Sequence, residues 1–184
     1  MTRVRLRILL KTNNTNDQCF IQATENFIVM KANSITKHSL FYRSVYTEII
    51  INAKKEKVWQ TLTDFNEMPK WSRTMQRIEG ELLENSEVIL HYFFQGRVKY
   101  FNVKLIEVEK GTQFGWSEKH FPMAKDKHIF RVEALNENTS RFIQTDQIKG
   151  ISALFIGYAI TRYMLKSFAG FNESLKEIAE GHNQ

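Results

Sequence analysis

The sequence predicts an α+β domain in which an antiparallel sheet curves around one long C-terminal helix. Three observations carry that prediction. Strand-type segments follow one another almost without a break from Gln76 to Ile148, separated only by Gly80, Gly96, Gly111 and the cluster Asn136–Thr139. A meander of hairpins fits this spacing, and a βαβ series does not. Ile156, Ile160, Met164, Phe168, Phe171, Leu175 and Ile178 recur at steps of three and four, an apolar helical stripe from about Ala153 to Glu180. Phe155, Tyr158 and Tyr163 widen the stripe, and the only broad apolar partner available to it is the sheet.

The totals narrow the setting and the partners. With 42% hydrophobic and 25% charged residues over 184 positions, the chain can bury a core without covalent staples. Its one cysteine, Cys19, has no internal disulfide partner, and no run reaches the roughly 18 apolar residues of a membrane span. A cytoplasmic setting is expected, with peripheral membrane contact left open. The net charge of +6 is unevenly spread: residues 1–43 hold seven cations against two carboxylates, and the remainder holds nineteen against eighteen. A nearly neutral domain has no electrostatic reason to hold a polyanion, which argues against nucleic acid.

Residues 1–43 read as an N-terminal extension ahead of a domain over 44–184. Three readings stand side by side. One is a disordered or loosely docked segment. Another is an extra edge strand, from the alternation of Val4, Leu6, Ile8 and Leu10 with Arg3, Arg5 and Arg7. The third is an organelle-targeting segment, Arg-rich and free of acid until Asp17. The run Ile8–Leu10 is too short for a secretory signal, whose apolar core needs about 7 to 15 residues.

Within the domain, Ser44–Ala53 is β-branched and aromatic and stops at the charged cluster Lys54–Lys57, a strand running into a helix. Val58, Leu62 and Phe65 then share one helical face, with Trp59 beside them. Pro69 breaks this pattern, so Asn66–Ser72 forms a turn or a second short helix that ends near Trp71. A two-residue turn at Gln95 and Gly96 sets Phe94 opposite Arg97, Tyr92 opposite Lys99, Leu90 opposite Phe101 and Val88 opposite Val103. That face is the more apolar one and is expected to be concave. A slip of one residue would reverse the assignment.

The segment EIIINAKKEKVWQTLTDFNEMPKWS, Glu48–Ser72, resembles the opening of the polyketide cyclase/dehydrase branch of the SRPBCC superfamily, also called START-like or Bet v 1-like. The matching features are an apolar strand, a helix with a Val-Trp pair, an Asp-Phe and a Pro-x-Trp. The resemblance extends from about Ser44 to Glu180. It implies a helix-grip fold: about seven antiparallel strands, with two short helices after the first, enclosing an apolar cavity against the C-terminal helix. It also implies a lipid, isoprenoid or polyketide-like occupant. The family often has Pro just after the first strand, where this chain has Lys54 and Lys55. Because members include both enzymes and carriers, the motif speaks for fold more than for activity.

Catalytic signatures are scarce. The chain has no Gly-rich phosphate loop, GxSxG elbow, CxxC or HExxH, so neither a cofactor nor a metal site is expected. His120 and His128 can meet across one connection, but two imidazoles without a third ligand make a poor metal site. A cyclase needs a desolvated acid or base. Asp146 and Tyr92 are the candidates, with Arg97 or Lys99 to hold an oxyanion. The competing reading makes Gln144–Lys149 a half-wet strand and leaves Arg97 and Lys99 in solvent. Ligand contact is expected from Trp71, Leu90, Tyr92, Phe94, Phe101, Trp116, Phe130, Ile160, Met164 and Phe168, although aromatic stripes of this kind more often form plain core. Phe130 and Val132 line the cavity if the alternating set His128, Phe130, Val132 and Ala134 faces inward. Binding or transport of a small hydrophobic ligand is the leading function. The alternatives are a cyclase or aromatase, and a protein- or membrane-interaction module using the basic N-terminal arm.

Overall fold

Period-two burial sets the inner face of the sheet. In β2 (Tyr42–Ile51), Val45, Thr47, Ile49 and Ile51 are buried while the residues between them stay half-exposed, as expected for a strand packed on one side. The structure, a computed structural model, describes residues 33–94, 96–117, 124–155 and 158–181, all within the compact unit Lys31–Gln184. β1 (Ser34–Ser39) precedes β2, which leads into α1 (Lys55–Thr63) and α2 (Met68–Trp71). Then come β3 (Met75–Glu79), β4 (Glu87–Phe94), β5 (Arg97–Glu109), β6 (Gln113–Ser117), β7 (Ala124–Asn136), β8 (Thr139–Gly150), α3 (Ser152–Phe155) and α4 (Tyr158–Ala179). The strands form one antiparallel sheet in the order β1-β2-β8-β7-β6-β5-β4-β3. The helices α1 and α2 therefore carry the chain from β2, beside β8, to β3 at the opposite edge.

Each helix is held by what it buries. α1 turns Val58, Trp59 and Leu62 into the core, and Glu56 in its first turn complements the helix dipole. Pro69 lies in the first turn of α2, where its missing N–H is not needed, and Met68 and Trp71 are buried beside it. α4 buries Phe168, Phe171, Leu175 and Ala179. The Phe171 ring lies 5.3 Å from Phe130 of β7 at an interplanar angle of 2°, and 5.2 Å from Trp71. Phe114 and Phe142 meet Phe130 from the neighbouring strands, so aromatic rings fill the space between the sheet and the C-terminal half of α4.

The β4–β5 register is the one the sequence predicts, from Phe94 opposite Arg97 to Val88 opposite Val103. Gln95 itself lies outside the described residues. Val88, Leu90, Val103 and Leu105 are buried, whereas Phe93, Val98 and Tyr100 of the other face are exposed. The concave side is thus the expected one. Two details differ from expectation. The sheet has eight strands instead of about seven, because β1 pairs with β2, and β2 begins at Tyr42 and not Ser44. The C-terminal helical stretch is described in two parts, α3 and α4, because residues 156–157 between them lie outside the described residues. Gln144–Lys149 is a strand with one wet face, as expected, but β8 turns Gln144, Asp146 and Ile148 to the inner side and leaves Thr145, Gln147 and Lys149 outward. His128, Phe130 and Val132 do face inward, while Ala134 near the hairpin end is exposed. The readings made for residues 3–10, Cys19 and His120 lie outside the described residues.

Gly115 shows how closely β6 and β7 approach. A Cβ there would lie 2.2 Å from the His128 carbonyl oxygen and 2.3 Å from Ile129 Cδ1. The Ile129 side chain can move, but the backbone oxygen cannot without shifting the ladder. Gly115→Ala is expected to lower unfolding free energy by about 1–3 kcal/mol, the usual cost of overpacking, as measured by urea denaturation.

Candidate functional site

Antiparallel pairing aligns side chains of several strands in rows across the inner face. One row runs Leu105, Trp116, His128, Asp146, Val45, and the next runs Phe114, Phe130, Gln144, Thr47. A polar cluster therefore sits inside an aromatic wall. His128 is 5% exposed and Asp146 is 8% exposed. His128 Nδ1 lies 3.2 Å from Asp146 Oδ2, and the Gln144 amide Nε2 lies 3.2 Å from His128 Nε2. Because the amide donates to Nε2, the ring proton sits on Nδ1 and faces the carboxyl. Trp116 stacks on the imidazole at 4.4 Å and 8°, while Phe130 and Phe168 meet it edge-on at 4.9 Å.

Two acceptors in this cluster stay unused. Asp146 Oδ1 and Gln144 Oε1 are buried and find no hydrogen-bond partner among the described residues. Each such group costs about 1–3 kcal/mol of desolvation, which a donor from a bound molecule would offset. α4 closes over this region through polar links. Asn172 Nδ2 donates to Thr47 Oγ1 at 3.0 Å, and the Tyr92 and Ser167 hydroxyls are 2.7 Å apart. Burial pushes the Tyr92 phenol pKa up, the Ser167 hydrogen bond partly opposes this, and the charge of Asp146 adds to the rise. Tyr92 is accordingly a neutral hydroxyl near physiological pH and not a base. Beside it opens a cleft of about 390 Å³, lined by Arg73, Thr74, Lys166, Ser167, Gly170, Phe171, Ser174 and Glu177. Among the described residues, no group of three or more His, Cys, Asp or Glu has the proximity to hold a metal ion.

The structure gathers some of the expected site residues and disperses others. Asp146 and Tyr92 both lie on the inner side of the sheet, whereas Arg97 and Lys99 are exposed, with Lys99 Nζ 5.0 Å above the Phe94 ring. Trp71, Leu90, Trp116 and Phe130 are members of the packed core, with Tyr92 and Phe101 against its edge. Phe168 is buried against His128. Phe94 and Met164 are half-buried, and Phe94 meets Tyr163 edge-on at 5.4 Å. The Ile160 side chain lies outside the described residues. None of these ten residues lines the cleft beside Ser167. Sequence reasoning did not join His128 to Asp146 or single out Gln144, because their meeting depends on a one-residue bulge in the β7–β8 hairpin between Ala134 and Asn136.

A sequence model described as polyketide cyclase/dehydrase and lipid transport matches residues 42–180. The chain belongs to this family. No curated protein sequence matches it, but many solved structures share the fold. A START superfamily protein from Mycobacterium smegmatis superposes with a TM-score of 0.60 at 14% identity, covering 76% of this chain and 99% of the other. The Zhui aromatase/cyclase from Streptomyces sp. R1128 gives 0.58 at 14% identity, with 76% and 94% covered. Ara h 8.0201 gives 0.59 at 12% identity, with 75% and 97% covered. At these identities the likeness is one of fold, and it agrees with the family's helix-grip architecture.

The Tyr92–Ser167 link yields a test. Tyr92→Phe is expected to cost about 0.5–1.5 kcal/mol in urea denaturation at neutral pH. Because the folded-state pKa is raised, the tyrosine contribution is fully present below the ordinary value of 10.0 and is lost as pH rises beyond it. Tyr46 acts in the same sense: burial, followed by its hydrogen bond to Glu48, pushes it up to about 12. Tyr92→Phe should therefore show a shallower loss of stability above pH 10.0 than the unaltered chain.

Proposed function

We propose that this chain binds a small, mainly apolar molecule bearing a hydrogen-bond donor. The donor sits at His128, Asp146 and Gln144, and the body lies along the aromatic inner face. The observation that carries this reading is the pair of buried, unused acceptors, Asp146 Oδ1 and Gln144 Oε1, in a wall otherwise built of Trp116, Phe130 and Phe168. A core with no ligand to recognise would be as stable with apolar residues there. The lipid-transport activity in the family description supports the same ligand class. Apolar contact at about 25 cal/mol per Å² supplies affinity, and a few placed polar atoms supply orientation.

Polyketide cyclisation is a second reading, favoured by the orientation of His128. Its Nδ1 is held by Asp146, which leaves Nε2, now engaged by the Gln144 amide, as the nitrogen available for proton transfer. The neutral Tyr92 hydroxyl would serve as a donor to a developing enolate.

One titration series tests the binding reading. A fluorescent long-chain alcohol is expected to bind the unaltered chain about tenfold or more tightly than its methyl ether, which has no donor. The variant Asp146→Leu with Gln144→Leu should bind both probes alike. Equal binding of the two probes by the unaltered chain would sink the reading, as would absence of binding to either together with no co-purifying ligand in native mass spectrometry. Conversion of a linear poly-β-ketone that is lost in His128→Phe, with alcohol binding retained, would move the assignment to the cyclase.

A further inference from the structure

The antiparallel order brings the β1–β2 turn, the end of β8 and α3 together at one corner of the sheet. The Gly150 N–H donates to the Phe41 carbonyl at 2.9 Å, and Arg43 Nε donates to the Ala153 carbonyl at 2.9 Å. At this corner five large apolar side chains face solvent: Leu40 (59% exposed), Phe41 (52%), Ile151, Leu154 and Phe155 (79%). Scattered exposed apolar residues need no explanation, but a group of five within one hydrogen-bonded corner does.

Along the described segments that form this corner, the β1–β2 turn, the end of β8 and α3, the charge is of one sign. From Ser34 to Thr47 and from Gln147 to Phe155 the chain contains no Asp or Glu, yet these stretches carry Lys37, Arg43 and Lys149. Lys37 and Arg43 stand directly opposite each other in the β1–β2 ladder, a like-charge pair that costs stability unless an anion lies near. Lys149 Nζ sits 4.8 Å above the Tyr42 ring, which keeps a cation beside the apolar group. Asp126, on the adjoining stretch of β7, is half-buried.

We infer that this corner docks on a membrane surface rich in anionic lipid. Leu40, Phe41 and Phe155 enter the acyl boundary, and the basic side chains meet the headgroups. Charge complementarity selects this occupant, since a second copy of the chain would bring two basic sets face to face. The apolar groups project from a tight turn and a one-turn helix, a shape that a fluid interface accepts without a matching hollow. No described helix is long and apolar enough to cross a membrane, so the contact is peripheral. The inference stands apart from the ligand reading, because docking requires nothing bound inside the sheet.

Flotation of the full chain with phosphatidylcholine vesicles containing about one third phosphatidylserine tests it. The chain should float with these vesicles and not with phosphatidylcholine alone, and added salt should weaken the binding. Phe41→Ser with Phe155→Ser should reduce the bound fraction about tenfold or more, with an unchanged melting temperature because both rings are exposed. Three results would overturn the inference. The unaltered chain stays behind in every vesicle preparation; the double variant floats as well as the unaltered chain, so that residues elsewhere carry the binding; or the substitutions abolish a dimer seen by ultracentrifugation without changing flotation.

Discussion

The flat stack of Phe171 on Phe130 anchors the long helix at the centre of the sheet's aromatic cluster. Phe130 stands where two rows of side chains meet, and rings from β6, β8 and α4 surround it. Such rings bury large area in few rotamers, so they fix the spacing of helix and sheet more rigidly than aliphatic residues would. Leu175 and Ala179 continue the seam toward the C-terminus. Toward the other end of α4 the stripe changes character: Thr161 is a buried polar residue, and Ser167 pairs with Tyr92.

The inner face likewise holds a polar cluster within its apolar surround. His128, Asp146 and Gln144 come from neighbouring strands, so the ladder itself holds their relative positions. In a surrounding of tryptophan and phenylalanine rings the local dielectric is low, and each polar contact is correspondingly stronger. An acceptor left unpaired there is correspondingly costly. The same wall thus combines a wide apolar area with a small number of directional atoms, the composition typical of sites for small, oily molecules.

Much of this architecture is legible in the residues alone. The Gly96 turn fixes the β4–β5 register, and with it the choice of Val88, Leu90, Val103 and Leu105 as the inward face. The stripe of α4 is equally plain through Phe168, Phe171 and Leu175. The polar cluster is not, and the reason is one residue. Counting back from a two-residue turn with Asn136 opposite Thr139 sets His128 opposite Gln147. The bulge at Leu135 moves the pairing by one, to Asp146, and so sets Asp146 and Gln144 of β8 on the same face as His128 and Phe130 of β7. Nothing in the local sequence marks that bulge. The residues expected to touch a ligand carry an ambiguous signal: Trp71, Leu90 and Phe130 are apolar and inward whether they touch a ligand or one another, and all three belong to the packed core. Edge strand β1 carries a weak signal because it has a partner on one side only, and of its six residues only Ile35 is half-buried.

Strand β8 runs from the polar cluster at Asp146 to the exposed corner at Gly150. Asp146 and Gly150 are separated by four residues of extended chain, about 13 Å, with Ile148 facing inward between them. A molecule of that length, held by its head at the carboxyl, would lay its tail along Ile148 and bring its far end to the corner formed by Phe41 and α3. One strand would then act as a ruler, measuring the occupant from the buried carboxyl to the edge of the protein.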